Sequence, residues 1–350
     1  MSIVENPIIF DSTLRDGSHA LKHQLTRETI AAYCDKVDDA GLEVVIVGHG
    51  NGLGASTLQT GLSLLTDAEM LTVAREHLKK TKLGVFLIPG YGTILEDIAP
   101  ALEIGVDVVC VASHCTEANV TRQHIEYVKS KGKEVYGVLM MYHMTTVDKI
   151  VEEALKMESY GAQGVFIMDS AGASTPQMVI DTIKALKANL KIKVGFHPHN
   201  NLGLAVGNAY LALEAGADII DATTRGLGAG AGNCQLEAFI AMMDKQGLET
   251  GVDLYRILDA SEDIIAPLWP EGAALSALSI VSGLSGVFSS FATHVKNASK
   301  QFDIDPRDIF IELGNRKVVG GQEDMVVDVA MNLAQQQADD ETSYLLESLL

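Results

Sequence analysis

Two histidines separated by one residue, His197 and His199, stand in the short run Phe196–Asn200. Residues i and i+2 of an extended strand point to the same side, so both imidazoles would face one spot. Neutral imidazoles together with a carboxylate bind divalent transition metals and leave coordination positions free for a substrate. A single buried histidine is usually structural, but a pair at this spacing predicts a metal site.

A second polar cluster, Asp11–His19, follows the first apolar run of the chain. Within it, Asp16 could supply the carboxylate ligand and Arg15 could stabilise an oxyanion. The ordinary pKa of histidine lies near neutrality, so His19 could act as a general base. The alternative interpretation is a polar turn in which Asp16 simply pairs with Arg15.

Glycines dominate the run Gly226–Asn233, which could let the backbone approach a ligand closely. A long flexible turn is an equal alternative for this segment. Asn233 at its end could reach a metal as a weak fourth ligand. In the run Met168–Gly172, Ser170 could either bind a substrate carboxylate or cap a strand.

The remaining histidines carry weaker expectations. His49 follows the second apolar run and could face the same site, and His114 follows the fourth. The others are interpreted as surface or packing residues: His23, His77, His124, His143 and His294.

The elements that must position these residues are eight short apolar runs, each followed by a helix-like stretch. Such alternation predicts parallel strands with right-handed crossovers, either in an open doubly wound sheet or in a closed barrel. Eight units over roughly 250 residues favour a (β/α)8 barrel, whose active sites lie at the carboxyl ends of the strands. The predicted strands are Ile8–Thr13, Val44–Gly48, Leu83–Pro89, Val106–Ser113, Val135–Met141, Gly164–Ser170, Val194–Asn200 and Asp218–Thr224.

After the barrel the sequence pattern changes, and we predict two domains. Residues 1–262 would form the barrel and residues 263–350 a small helical C-terminal domain. Within the latter, Ala273–Phe291 is rich in small and apolar residues, while Asp305–Leu313 and Asp324–Gln335 are predicted helices.

Composition excludes several other classes of function. The formal net charge of −20 repels phosphate backbones, so nucleic-acid binding is not expected. No apolar run reaches the roughly 18 residues of a membrane span. The four cysteines show neither CxxC spacing nor the density of a disulfide scaffold, and no signal peptide is visible, so we expect a cytoplasmic protein.

With these motifs, the chain resembles the metal-dependent pyruvate aldolases of the DRE-type TIM-barrel metallolyase superfamily, in the branch of the 4-hydroxy-2-oxovalerate aldolases of aromatic catabolism. The likeness runs over nearly the whole chain. Besides the three clusters above, it includes Leu87–Gly90, Met168–Gly172, Asp305–Ile309, Glu312–Lys317 and Val319–Asp324.

The resemblance implies Mn²⁺ as the usual metal, with Co²⁺ or Mg²⁺ as substitutes, held by Asp16, His197 and His199. It implies a retro-aldol reaction that cleaves 4-hydroxy-2-oxopentanoate, or a close homologue, to pyruvate and an aldehyde. It also implies a complex with an acylating acetaldehyde dehydrogenase, which would receive the aldehyde through a channel.

Individual roles follow from the same resemblance. Arg15 would lie at the enolate oxygen and His19 would be the base, while Ser170 and His197 would lie beside the bound substrate. Phe288 stands at the aldehyde end of the site, where the family has a tyrosine, so this chain lacks one hydroxyl there.

Two other functions remain open at this stage. One is an acetyl-CoA-dependent condensing enzyme of the isopropylmalate or homocitrate synthase type, which belongs to the same superfamily. The glycine-rich loop Gly226–Asn233 argues against it, since those enzymes carry an acidic residue and an arginine there. The other is a non-catalytic metal-binding homologue, against which the full set of costly polar groups argues.

Overall fold

The computed structural model describes residues 6–348, with side chains for residues 6–339. Eight parallel strands close into a barrel in sequential order, which confirms the predicted (β/α)8 fold. The outermost ends of the two predicted domains, residues 1–5 and 349–350, lie outside the described residues. The strands are β1 (Ile8–Asp11), β2 (Val44–Ile46), β3 (Lys82–Leu87), β4 (Val108–His114), β5 (Glu134–Met140), β6 (Gly164–Asp169), β7 (Lys193–Pro198) and β8 (Ile219–Ala222).

Helices cover the outside of the barrel and continue beyond it. Those that follow the strands up to residue 268 are α1 (Gly17–Ala20), α2 (Arg27–Val37), α3 (Asp67–His77), α4 (Ala99–Ile104), α5 (Arg122–Ser130), α6 (Val147–Tyr160), α7 (Pro176–Asn189), α8 (Ala205–Glu214), α9 (Leu236–Lys245), α10 (Leu254–Ala260) and α11 (Ala266–Leu268). The C-terminal helices are α12 (Ala277–Ser285), α13 (Ala292–Phe302), α14 (Pro306–Asn315) and α15 (Met325–Ser348).

Single helical turns fill several connections. Turns of 3-10 helix occur at Ala118–Thr121, Tyr142–Met144, Thr224–Gly226 and Ser289–Phe291, and turns of π-helix at Ile94–Ile98 and Ser261–Ile265.

Local sequence signals explain where the helices begin and end. Thr66 accepts a hydrogen bond from the backbone of Glu69, whose side chain accepts one in return, and this capping box starts α3. Helix α6 ends at Gly161, whose φ of 107° is a left-handed conformation that glycine adopts without a Cβ penalty.

The interior of the barrel is filled by alternate strand residues, since successive side chains point to opposite faces. Phe10, Phe166 and Ile219 belong to this inner core, whereas the larger outer core lies between strands and helices. A Cβ on Gly195 would lie 2.4 Å from a ring carbon of Phe166. Glycine at that position therefore leaves space for the Phe166 ring.

The C-terminal helices bury an apolar cluster of their own, which includes Phe291, Phe310 and Val329. The helical stretch from Leu254 to Leu268 contains residue 262. The predicted boundary between the two domains near residue 262 remains a proposal. The separate apolar cluster of the C-terminal helices supports two domains. Within residues 6–348, no helix is long and apolar enough to cross a membrane.

Candidate active site

The polar residues of the site follow the barrel core along the strands and face inward, as the core residues do. On β7, Gly195 faces inward, and the alternation of the strand brings His197 and then His199 to the same side. On β6, Met168 belongs to the inner core and Ser170 follows two residues later. The inner core therefore ends in a layer of polar groups at the carboxyl end of the barrel, where barrel enzymes carry their active sites.

Asp16, His197 and His199 converge at this end. Asp16 Oδ2 lies 3.0 Å from His197 Nε2 and 3.4 Å from His199 Nε2. The two Nε2 atoms are 3.3 Å apart. One potential ligand atom from each residue lies within 4.8 Å of the others, and all three side chains are buried. The sequence-predicted cluster is thus brought together, in a geometry that could hold a metal ion.

Asp221 on β8 orients this cluster, and the sequence analysis missed it. Its Oδ2 accepts hydrogen bonds from His197 Nδ1 at 2.7 Å and from Ser12 Oγ at 2.8 Å. The proton on Nδ1 leaves the lone pair of His197 Nε2 directed toward Asp16, as in metal sites whose histidines are held by a carboxylate. A carboxylate inside an otherwise apolar strand was the available signal, because burial of an unpaired charge is costly.

Asn233 lies beside the same cluster. Its Nδ2 is 3.2 Å from His197 Nε2. Its buried Oδ1 has no hydrogen-bond partner among the described residues, and rotating the amide by 180° would exchange the two atoms. A Cβ on Gly228 would lie 2.0 Å from Oδ1, so the glycine-rich loop can pass Asn233 only without a side chain there. Two imidazoles, a carboxylate and an unpaired amide oxygen fit a divalent transition cation.

Charge within the cluster is balanced by neighbouring groups. Burial favours the neutral form of Asp16, but Arg15 and His199 outweigh it and hold the pKa of Asp16 well below its ordinary value of 3.8. Burial likewise lowers the pKa of His197, yet Asp221 and Asp16 more than compensate, and the net pKa is raised. The site thus keeps its carboxylate ionised, as metal binding requires.

Arg15 spans the gap between this cluster and the loop after β2. Its Nη1 lies 3.2 Å from Asp16 Oδ2 and donates to the backbone oxygen of Gly50 at 3.3 Å. Its guanidinium carbon lies 4.4 Å from the centre of the Phe86 ring, a cation–π contact. The buried Nε has no partner among the described residues, so this cation retains a donor for a ligand.

A small cavity brings several other predicted residues to the same place. Arg15, Asp16, His19, Ser170, His199 and Phe288 all line it. Ser170 Oγ accepts a hydrogen bond from the backbone of Met141 at 3.2 Å, which leaves its own hydrogen free to donate. His197 and Asn233 are buried behind this lining, so the expected contact of His197 with a substrate stays a prediction.

His19 lies in α1, three residues after Asp16, and is partly enclosed. Burial lowers its pKa from 6.5 to about 4, against the opposing charge of Asp16. Its imidazole is therefore neutral over the physiological range and can accept a proton.

Three other histidines differ in their distance from the site. His23, interpreted from sequence as a surface or packing residue, is buried and packs against His19. His49 also packs against His19 and does not line the small cavity. His114 lines a neighbouring cavity, and Phe288 lines that cavity as well.

Comparisons with known proteins match two family models to successive parts of the chain. Residues 6–264 match the HMGL-like family model and residues 273–335 match the DmpG-like communication domain. The chain therefore combines an HMGL-like barrel with a communication domain.

Close relatives define the family more narrowly. A 4-hydroxy-2-oxovalerate aldolase of Pectobacterium atrosepticum is 54% identical over 93% of this chain and 95% of its own. One of Spirochaeta aurantia is 52% identical over 93% of this chain and 96% of its own. The chain belongs to the 4-hydroxy-2-oxovalerate aldolase family, whose members are lyases.

More distant solved structures share the fold alone. The N-terminal domain of a putative aldolase from Bacteroides vulgatus superposes with a TM-score of 0.69 at 24% identity, covering 81% of this chain and 94% of that domain. A carboxyl transferase domain of Rhizobium etli pyruvate carboxylase gives a TM-score of 0.80 at 16% identity, covering 95% of this chain and 61% of that one.

Proposed function

We propose that this protein cleaves 4-hydroxy-2-oxo acids, such as 4-hydroxy-2-oxopentanoate, to pyruvate and an aldehyde. The observation that carries the proposal is the small cavity that Asp16, Arg15, His19 and His199 line together at the end of an aldolase-family barrel. This shared lining supports the proposal, since a carboxylate, a guanidinium and two imidazoles border one small cavity.

The metal of this proposal is Mn²⁺, for which Co²⁺ or Mg²⁺ could substitute. Asp16, His197 and His199 would hold it, with Asn233 as a weak fourth ligand, and the mixed nitrogen and oxygen donors support the assignment. When bound, the ion supplies Lewis-acid polarisation of the keto group of a 2-oxo acid.

Arg15 and Ser170 would orient the pyruvyl half of the substrate. The guanidinium of Arg15 is fixed by Asp16 and Gly50, so it offers a positive charge for the enolate oxygen without reorganisation. The free hydroxyl hydrogen of Ser170 can donate to the substrate carboxylate.

His19 would move the proton. The neutral imidazole removes the proton from the C4 hydroxyl while the C3–C4 bond breaks. The C4 carbon leaves as an aldehyde, and the bonding electron pair passes to the enolate of pyruvate. Return of a proton to C3 then completes pyruvate.

Phe288 would form the wall at the aldehyde end. It lines both the small cavity and a neighbouring one of about 440 Å³, which also contacts His114 and Gly320. A path for the aldehyde along this second cavity would lead from the barrel toward the C-terminal helices.

The C-terminal helices would bind an acylating acetaldehyde dehydrogenase. Their match to a communication domain supports a protein partner for this region. They also expose large apolar side chains, which on a protein surface mark interaction sites. These residues are Ile280, Leu284, Ile311, Val327 and Met331. We further place the enzyme in the cytoplasm, and the four free cysteines support this.

The test is to measure pyruvate released from a panel of 4-hydroxy-2-oxo acids of increasing chain length, with Mn²⁺ present. A parallel assay follows release of the CoA thiol from acetyl-CoA with each of several 2-oxo acids. Pyruvate release without CoA release supports the aldolase. CoA release alone would identify a condensing enzyme, and no turnover in either assay would support a non-catalytic homologue.

A further inference from the structure

Three histidine rings pack together beside the small cavity. The rings of His23 and His49 are stacked, with centroids 3.7 Å apart and planes inclined by 16°. The ring of His19 stands edge-on to both, at 5.1 Å from His23 and 6.3 Å from His49. Among residues 6–339, no hydrogen bond to a ring nitrogen of His19 occurs, so its orientation depends on this packing.

Hydrogen bonds fix the ring of His49 within the loop that follows β2. The backbone N–H of Asn51 donates to His49 Nδ1 at 3.0 Å. Nε2 therefore carries the ring hydrogen and lies 3.0 Å from the backbone oxygen of Gly61, to which it donates. One imidazole thus ties the beginning of the loop to its end.

His23 holds the same loop from the side of α1. Its Nδ1 lies 3.1 Å from Ser18 Oγ and accepts a hydrogen bond from the backbone N–H of Gly50 at 3.5 Å. Its backbone is constrained as well, because Lys22 and His23 have φ angles of 53° and 61°. Such conformations are costly for residues other than glycine and persist only where surrounding contacts enforce them.

The clamped loop carries Gly50 directly against the base. A Cβ on Gly50 would lie 2.4 Å from His19 Nε2 and 2.5 Å from Cδ2. Gly50 also accepts a hydrogen bond from Arg15 Nη1 through its backbone oxygen. The loop therefore touches both groups to which the proposed function assigns chemistry.

We propose that His23 and His49 are positioning residues, whose stacked rings clamp the loop at Gly50 and hold the imidazole of His19 in its reactive orientation. This assignment rests on the proposed function. Displacing a catalytic group by about 1 Å can cost roughly 10²-fold in rate. Ring contacts and loop bonds that restrict His19 therefore matter to turnover without touching the substrate.

The experiment combines single variants with a His19→Ala background. His23→Phe and His49→Phe keep an aromatic ring but lose the loop bonds, and Gly50→Ala adds one methyl group against His19. We expect each to lower kcat for pyruvate release about 10- to 100-fold, with a smaller change in KM. In the His19→Ala protein, the same changes should lower the residual rate less than about 2-fold, because residues acting as a unit are not additive.

Controls separate positioning from loss of structure. His77→Phe removes a histidine ring that pairs with Asp35 on the surface, and Gly207→Ala adds a methyl group where no atom lies within 4 Å. Both should keep the parent kcat. Thermal unfolding and Mn²⁺ titration are measured for every variant. Should a phenylalanine variant fail to fold, Gly50→Ala carries the test.

The two possible failures are distinguishable. In the first, the parent enzyme is active while the His23, His49 and Gly50 variants lower kcat by equal factors in both backgrounds, or do not lower it at all. Either result overturns the positioning role alone. A parent that releases no pyruvate from any 4-hydroxy-2-oxo acid overturns the proposed function and this assignment with it.

Discussion

The side chains of His19 and Arg15 line one cavity but are assigned different steps of the reaction. His19→Ala should lower the retro-aldol kcat by about 10²-fold or more, the range for loss of a general base. Arg15→Ala should also slow proton exchange at the methyl group of pyruvate, because both reactions pass through the enolate. Steady-state kinetics and NMR of deuterium incorporation measure the two activities. Near-parental cleavage by His19→Ala would refute its role.

Phe288 places an apolar ring on the cavity lining, at a position where the family resemblance implies a tyrosine phenol. One hydrogen bond contributes about 0.5–1.5 kcal/mol, or roughly 2- to 12-fold in selectivity. We therefore expect weak discrimination between C4 enantiomers, and Phe288→Tyr should sharpen it while Mn²⁺ affinity stays unchanged. Initial rates with each pure enantiomer test this. A parent enzyme that already prefers one enantiomer more than about 100-fold would contradict the prediction.

At the scale of single residues, the sequence alone predicted those site residues whose relative positions depend on local spacing. The spacing of His197 and His199 determines their common side on a strand, and their convergence follows. Asp221 and His23 depend on contacts between distant elements, since His197 and Asp221 are 24 positions apart. Their side chains were visible in the sequence, but their partners were not.

Among the elements, the glycine-rich loop after β8 has a specific steric task. Its Gly228 leaves no room for a Cβ beside Asn233. Gly228→Ala should displace the Asn233 side chain and weaken Mn²⁺ binding about 10-fold, as loss of outer support does in other metal sites. Isothermal titration with Mn²⁺ measures it, with Gly207→Ala as the control. Unchanged affinity would show that Asn233 does not support the metal.

Glycine and capping residues mark the ends of several elements, as Thr146 and Gly161 do at the two ends of α6. The role of the loop from His49 to Gly61 was not predictable from its own residues, since the loop has little regular structure and its role lies in what it packs against. The strand–helix alternation predicted a helix after each strand, and helices α4 and α9 occupy two of these places.

For the whole molecule, metal dependence is the sharpest expectation. A chelator should abolish pyruvate release, and Mn²⁺, or less effectively Co²⁺ or Mg²⁺, should restore it, because a histidine pair and a carboxylate converge at the end of the barrel. Activity after dialysis against EDTA and readdition of each ion tests this. Full activity in metal-free protein, or a pyruvate adduct trapped by borohydride, would contradict the mechanism.

The proposed partner surface can be tested on the same scale. Leu284 on α12 is 73% exposed, and Leu284→Asp should weaken binding of an acylating aldehyde dehydrogenase at least 10-fold by placing a charge in an apolar interface. Leu95→Asp, at a residue 75% exposed beside the barrel, is the matched control. Surface plasmon resonance measures both, and pyruvate release should not change. Equal affinities of the parent protein and Leu284→Asp would show that the interface lies elsewhere on the surface.

The barrel was predictable because eight repeats of one pattern over-determine a closed parallel sheet. The aldehyde preference was not, since the proposed wall residue, Phe288, belongs to the C-terminal region and its position depends on how that region packs on the barrel. One contact between the two parts is the hydrogen bond that Ser289 Oγ donates to Asn201 Oδ1 at 3.0 Å. These two residues lie 88 positions apart in the sequence.

The wall segment Phe288–Ser290 reaches the cavity from the C-terminal region rather than from a barrel loop. A gene fusion or recombination event that transplanted this last part of the chain would therefore carry the proposed aldehyde pocket along with the proposed docking helices. Under the proposed function, the choice of aldehyde and the choice of the protein that receives it would be inherited together. Selection on one of these traits would then act on the other, even though the residues proposed to break the carbon–carbon bond lie in the barrel.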